Sequence, residues 1–209
     1  MQRTILVTGF EPFGGSSVNP SAEAVKALRS VRIPRVAIAT GLLPVVGGEA
    51  QRRLRALVSA KKPDAVVCLG ESGAATAITI ERLAANLRDY RIADNAGATV
   101  VDSPVAEGGP AAYFATLPVR AMHDACRAAG VPAELSMSAG TYLCNETMYA
   151  LLHHASTTNA SFRAGFVHVP QLPEQVLAER RGRASMSLDT TMKGLVAMLR
   201  VVAGAKRSR

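Results

Sequence analysis

The sequence contains no tryptophan, and its nine aromatic residues (five Phe, four Tyr) are 4% of a 209-residue chain. Two of the five phenylalanines, Phe10 and Phe13, nevertheless share one polar, Gly-rich loop, which a pocket explains better than a distant core. Cysteine is also scarce. Cys68, Cys126 and Cys144 are widely spaced and odd in number, which argues against a disulfide framework and for a reducing, cytoplasmic setting. No CxxC and no HExxH occurs, so neither the usual thiolate site nor metalloprotease chemistry has a basis, and no metal is expected. Long apolar runs are missing too. None approaches the roughly 18 residues of a membrane span, so no membrane partner is expected. The N-terminal segment lacks a long apolar region followed by a small-residue cleavage site, so no signal peptide is expected.

What the chain has is apolar content sufficient for a packed core, 48%, against 19% charged residues. Disordered chains have the opposite balance. The length suits one domain spanning 1–209. The formal charge of +8 is unevenly placed. Arg180, Arg181, Arg183, Lys193, Arg200, Lys206, Arg207 and Arg209 face Asp189 alone, and the rest of the chain is nearly balanced. Lys206-Arg-Ser-Arg209 therefore reads as part of a frayed basic tail over 205–209. No nucleic-acid-reading motif accompanies the charge, so no nucleic-acid partner is expected.

Residues 4–9, 35–44, 64–70, 133–138 and 164–169 read as strands, several of them near-continuous apolar runs. Between them lie segments of helical periodicity. One starts at Asn19-Pro20, an N-cap followed by proline at the first helical position. Others cover 48–61, Pro118 to Ala129, Asn145 to His154 and 187–203. Residues 78–88 suggest another strand region, and 89–112, rich in Asp, Asn, Gly and Pro, a long irregular excursion. Buried strands alternating with amphipathic helices indicate an α/β class. The expected architecture is a three-layer α/β/α sandwich around a mostly parallel, mixed sheet.

Cys144 stands out chemically. A Gly-containing loop leads to it, and it falls where a helix begins. Free N–H groups and the helix dipole there favour a thiolate and offer an oxyanion site. Cys68, inside an apolar strand, and Cys126, within a helix, read as buried structural residues. His168 sits near the C-terminal end of a strand, where open α/β sheets place their chemistry, although a lone histidine there also fits a satisfied core residue. A Cys–His pair needs a third group to orient the imidazole. Glu81 suits that role, because a carboxylate among apolar strand neighbours demands a partner. A salt bridge to Arg82 or another nearby arginine is the competing reading. Gly9, Gly14 and Gly15 form neither GxGxxG nor a P-loop. Gly70-Glu-Ser-Gly-Ala74 only half resembles a nucleophile elbow at Ser72.

Several segments together resemble one family. They are Thr8-Gly-Phe-Glu-Pro-Phe-Gly-Gly15 with Asn19-Pro-Ser21, Ile80-Glu-Arg82, Arg91-Ile-Ala-Asp-Asn95, Gly109-Pro-Ala-Ala-Tyr-Phe-Ala-Thr-Leu-Pro118, Ala139-Gly-Thr-Tyr-Leu-Cys-Asn145 and Gly165-Phe-Val-His-Val-Pro170. This set is similar to the pyrrolidone-carboxylate peptidases, or pyroglutamyl peptidases I. The resemblance implies a cofactor-free cysteine exopeptidase that removes N-terminal pyroglutamate from peptides. It also implies a soluble cytoplasmic tetramer and a catalytic triad on Cys144, His168 and Glu81. It places Phe10, Phe13 and Tyr142 about the lactam slot; Asn19 and Glu71 are further candidate substrate-binding residues, and Arg91, in the 89–112 segment, is expected to form another wall. One departure stands out. Many relatives carry glutamine where this chain has Glu71. An ionised glutamate accepts hydrogen bonds but cannot donate them, and a carboxylate disfavours a thiolate nearby. A catalytically silent lactam-binding protein is therefore the alternative reading.

Overall fold

The computed structural model describes residues 2–179 and 182–205. The expected basic tail lies outside the described residues from 206 onward, as do Arg180 and Arg181. In chain order the elements are β1 (Arg3–Phe10), α1 (Pro20–Leu28), β2 (Val36–Leu43), α2 (Glu49–Lys61), β3 (Ala65–Ser72), β4 (Ile78–Glu81), β5 (Leu83–Ala85), β6 (Ala112–Phe114), α3 (Val119–Ala128), β7 (Ala133–Ser136), α4 (Leu143–Thr157), β8 (Arg163–Pro170), α5 (Pro173–Glu179) and α6 (Leu188–Gly204).

Six strands form the main sheet in the order β2-β1-β3-β8-β4-β7. The first four run parallel, β4 runs antiparallel to β8, and β7 follows β4. The sheet is thus mostly parallel but mixed. Its apolar strands are buried on both faces, and alternation decides which layer each side chain enters. Ile5, Val7, Val67, Leu69 and Val167 pack with α1, α3 and α6 through Leu28, Met122 and Leu199. Leu6, Val66, Cys68, Ala164 and Phe166 pack with α2 and α4 through Leu54, Leu143 and Leu152. Burying one such Leu or Ile contributes roughly 1.5–3 kcal/mol, so a charge introduced at Leu6 or Val167 would break a layer.

Helix starts follow local chemistry. Asn19 caps α1 by accepting from the Ser21 N–H at 2.9 Å, with Pro20 in the first turn. Ser187 caps α6 through the Thr190 N–H.

Two expectations are refined. The strand region expected over 78–88 holds two strands, β4 and β5. The chain leaves the main sheet after Glu81, and β5 pairs with β6 in a separate two-stranded sheet. Asn145 holds the segment beyond Glu81 by binding the backbone of Ala85 and Leu87. The helix expected from Asn145 already begins at Leu143 and continues to Thr157, so Cys144 lies in its first turn. Two short elements, β6 and α5, were not expected, since neither is long enough to show a period.

Candidate active site

Parallel β3 and β8 end side by side, with Gly70 opposite His168 and Glu71 opposite Val169. The start of α4 brings Cys144 to the same end. Strand β4 arrives from the other direction, pairing Thr79 with His168 and Glu81 with Phe166. The antiparallel pairing delivers the last residue of β4 beside the histidine. His168 Nδ1 donates to Glu81 Oε1 at 2.8 Å, and the two residues are 7% and 2% exposed. Arg82, the competing partner, instead bonds through its backbone to Ser136 O. With Nδ1 committed to the carboxylate, Nε2 is the ring nitrogen left to face Cys144.

Burial alone would disfavour a charged imidazole. The neighbouring Cys144, by charge and hydrogen bond, and then Glu81 outweigh it and push the His168 pKa up to about 10. The other thiols differ. Burial pushes Cys68 up to about 12 and Cys126 up to about 11. Both are buried, whereas Cys144 is only half-buried. Cys144 is the accessible thiol beside an imidazole.

The expected slot residues assemble around this thiol. Phe10, Phe13, Asn19, Glu71 and Tyr142 line a narrow slot together with Val45, Leu143 and Cys144. Phe10 also belongs to the core, stacking towards Phe166 at 6.4 Å between centroids. Asn19 is fully buried and binds the Ser21 N–H and hydroxyl and the Glu11 carbonyl. Its part in the slot is thereby one of shape. Arg91 does not line the slot. It lies on the wall of an adjoining cleft of about 900 Å³ that shares Phe13 and Glu71 with it. Glu71 therefore stands where slot meets cleft, its two carboxylate oxygens accepting from Gln171 Nε2 (3.0 Å) and Gln175 Nε2 (3.2 Å).

Sequence reasoning missed four supports. A Cβ on Gly70 would lie 2.9 Å from Cys144 Sγ and 2.7 Å from Phe166 Cζ, so glycine there makes room for the thiol. Asn145, fully buried, ties α4, which carries Cys144, to β5, just beyond Glu81. Gln171 and Gln175 hold Glu71. Glu146, in the first turn of α4, is buried and bonded to Gln51, Gly48 and Tyr90. The Cys-Asn-Glu run was visible in the sequence; the partners it meets were not. Among the described residues, no cluster of three or more His, Cys, Asp or Glu side chains suits a metal ion.

The chain is similar to known proteins over nearly its whole length. The family model described as pyroglutamyl peptidase matches residues 3–205. A pyrrolidone-carboxylate peptidase of Gloeobacter violaceus is 49% identical over 198 residues, 95% of this chain and 96% of the relative. The crystal structure of pyroglutamyl peptidase I from Bacillus amyloliquefaciens superimposes with a TM-score of 0.95 at 38% identity, covering 98% of this chain and 97% of that one. A mutant pyrrolidone carboxyl peptidase from Pyrococcus furiosus gives 0.92 at 38% identity, covering 95% and 97%. Matches of this extent, on a fold that gathers a cysteine, a histidine and a carboxylate at one sheet end, make this chain a member of the pyroglutamyl peptidase family.

Proposed function

We propose that this protein is a cysteine-type pyroglutamyl peptidase in which Cys144, His168 and Glu81 form the catalytic triad. The observation that carries the roles is the 2.8 Å hydrogen bond from His168 to Glu81, with Cys144 Sγ packed against Gly70, the strand neighbour of that histidine. The Cys144 thiolate attacks the pyroglutamyl carbonyl carbon, and the tetrahedral oxyanion faces N–H groups of the first turn of α4. His168, holding the thiol proton, delivers it to the departing amine, and a thioester remains. Water attacks the thioester after passing a proton to His168. Pyroglutamic acid leaves and the thiol is restored. Glu81 keeps the imidazole in one tautomer and stabilises its cationic form.

Substrate choice follows from the slot. Pyroglutamate is a flat, uncharged lactam, which suits apolar walls with a few polar groups. Glu71 lines this slot, and its carboxylate is the acceptor for the lactam N–H. The peptide leaves through the cleft lined by Arg91. The substrate class is peptides with N-terminal pyroglutamate, and no cofactor takes part. A silent lactam-binding role is not favoured, because relatives matching nearly the full length are named as peptidases. A cytoplasmic homotetramer belongs to the same proposal. Three free thiols support the reducing compartment, and among the described residues no helix is long and apolar enough to cross a membrane.

The test is release of a fluorescent amine from a pyroglutamyl amide, before and after thiol alkylation, with the alkylated cysteine located by mass spectrometry. Turnover should vanish on alkylation of Cys144 and in Cys144→Ser, with the fold intact by circular dichroism. Full activity in Cys144→Ser would overturn the nucleophile. No turnover from folded, reduced protein would overturn the peptidase. Light scattering tests the tetramer.

A further inference from the structure

Burying an ionised carboxylate is costly unless donors surround it, and Glu146 is only 2% exposed two residues from the nucleophile. Successive residues on a helix turn by about 100°, so the Glu146 side chain leaves the opposite side of α4 from Cys144. Its partners lie elsewhere. Oε1 accepts from the Gly48 N–H at 3.3 Å and from Gln51 Nε2, and Oε2 accepts from the Tyr90 hydroxyl. Burial and this carboxylate both push the Tyr90 pKa upward, so the hydroxyl stays a donor. Gly47 leaves the hydroxyl room, since a Cβ there would sit 2.7 Å from it.

The Tyr90 ring in turn meets Tyr142 edge-on, centroids 4.9 Å apart at 75°. Tyr142 is the wall of the slot facing Phe13, at 6.3 Å between centroids. A flat ring lying between two aromatic faces needs about 7–8 Å, twice a carbon–carbon contact. Tyr142 must therefore yield slightly to admit a lactam, and the Tyr90 ring behind it limits how far.

We propose that Tyr90, clamped by Glu146, is a positioning and specificity-determining residue: it fixes the Tyr142 ring and so sets the width of the slot, admitting a five-membered lactam in preference to a six-membered one. This rests on the slot as proposed above. Tyr90 touches no reacting atom, so its effect appears in substrate binding and in discrimination between ring sizes.

The probes are fluorogenic amides of pyroglutamic acid and of its six-membered homologue, 6-oxopiperidine-2-carboxylic acid. Tyr90→Phe removes only the hydroxyl, and Gly47→Ala displaces it. In each, KM for the five-membered amide should rise by about fivefold, the scale of one hydrogen bond. The kcat per alkylatable Cys144 should stay within about twofold, and the kcat/KM preference for the smaller ring should fall severalfold. A merely structural role would lower the amount of alkylatable Cys144 and leave KM and ring preference untouched. That result in both variants overturns this inference alone. Wild-type protein that fails to turn over the pyroglutamyl amide overturns the peptidase reading and this inference with it.

Discussion

His168 and Glu81 are joined by a 2.8 Å hydrogen bond although 87 residues separate them in the chain, and neither is more than 7% exposed. The pair is buried at the junction of β8 and the antiparallel β4. Glu81→Gln keeps the shape but turns the anion into a neutral amide. The imidazolium loses its stabilising charge, and the imidazole can take the wrong tautomer. In Glu81→Gln, kcat should fall by about 10²–10⁴-fold with KM little changed. Steady-state kinetics on the pyroglutamyl amide would expose an error here if kcat stayed within tenfold of wild type.

The same pair predicts a pH dependence of stability. The folded-state pKa of His168 is raised from 6.5 to about 10. A group raised on folding contributes its full stabilisation below the unfolded pKa and loses it as pH rises through the folded value. Wild-type stability in urea should therefore decline between pH 6.5 and 10 by more than that of His168→Gln. Parallel profiles for the two proteins would contradict it.

Gly70→Ala should displace the thiol. The added methyl meets both Cys144 Sγ and the buried Phe166 ring. Overpacking of this kind costs about 1–3 kcal/mol, and the shift of Sγ should reduce turnover by about 10²-fold. Denaturation and kinetics measured on one preparation check both halves. Wild-type turnover in Gly70→Ala would mean that the thiol does not depend on this close approach.

Glu71→Gln removes a negative charge from the lining of the Cys144 slot. Alkylation of Cys144 by the anion iodoacetate should become faster by severalfold, because the carboxylate repels a negatively charged reagent entering the slot. The variant should also lose about 1–2 kcal/mol, because an amide group would face the side-chain amides of Gln171 and Gln175. An unchanged alkylation rate would show that Glu71 exerts no field at the sulfur.

The layers of the fold were readable locally. Continuous apolar strands such as 65–69 announce burial on both faces, and Asn19-Pro20 announces a helix start, because period and capping are properties of neighbouring residues. Strand direction was not readable in that way. The reversal of β4 depends on which edge of β8 is free, and the segment beyond Glu81 is held by Asn145, some 60 residues away.

The site divides along the same line. Residue type and local position pointed to Cys144 at a helix start, His168 near a strand end and Glu81 among apolar neighbours. Family-like motifs added Phe10, Phe13, Asn19, Glu71, Arg91 and Tyr142. Tertiary structure alone decided that Glu81 meets His168 rather than Arg82, that Arg91 lines the cleft and not the slot, and that Glu146 is buried beneath Tyr90. Helix starts and buried strands are set by residues a few positions apart. Hydrogen-bond partners are set by which elements pack together, and that depends on the whole sheet.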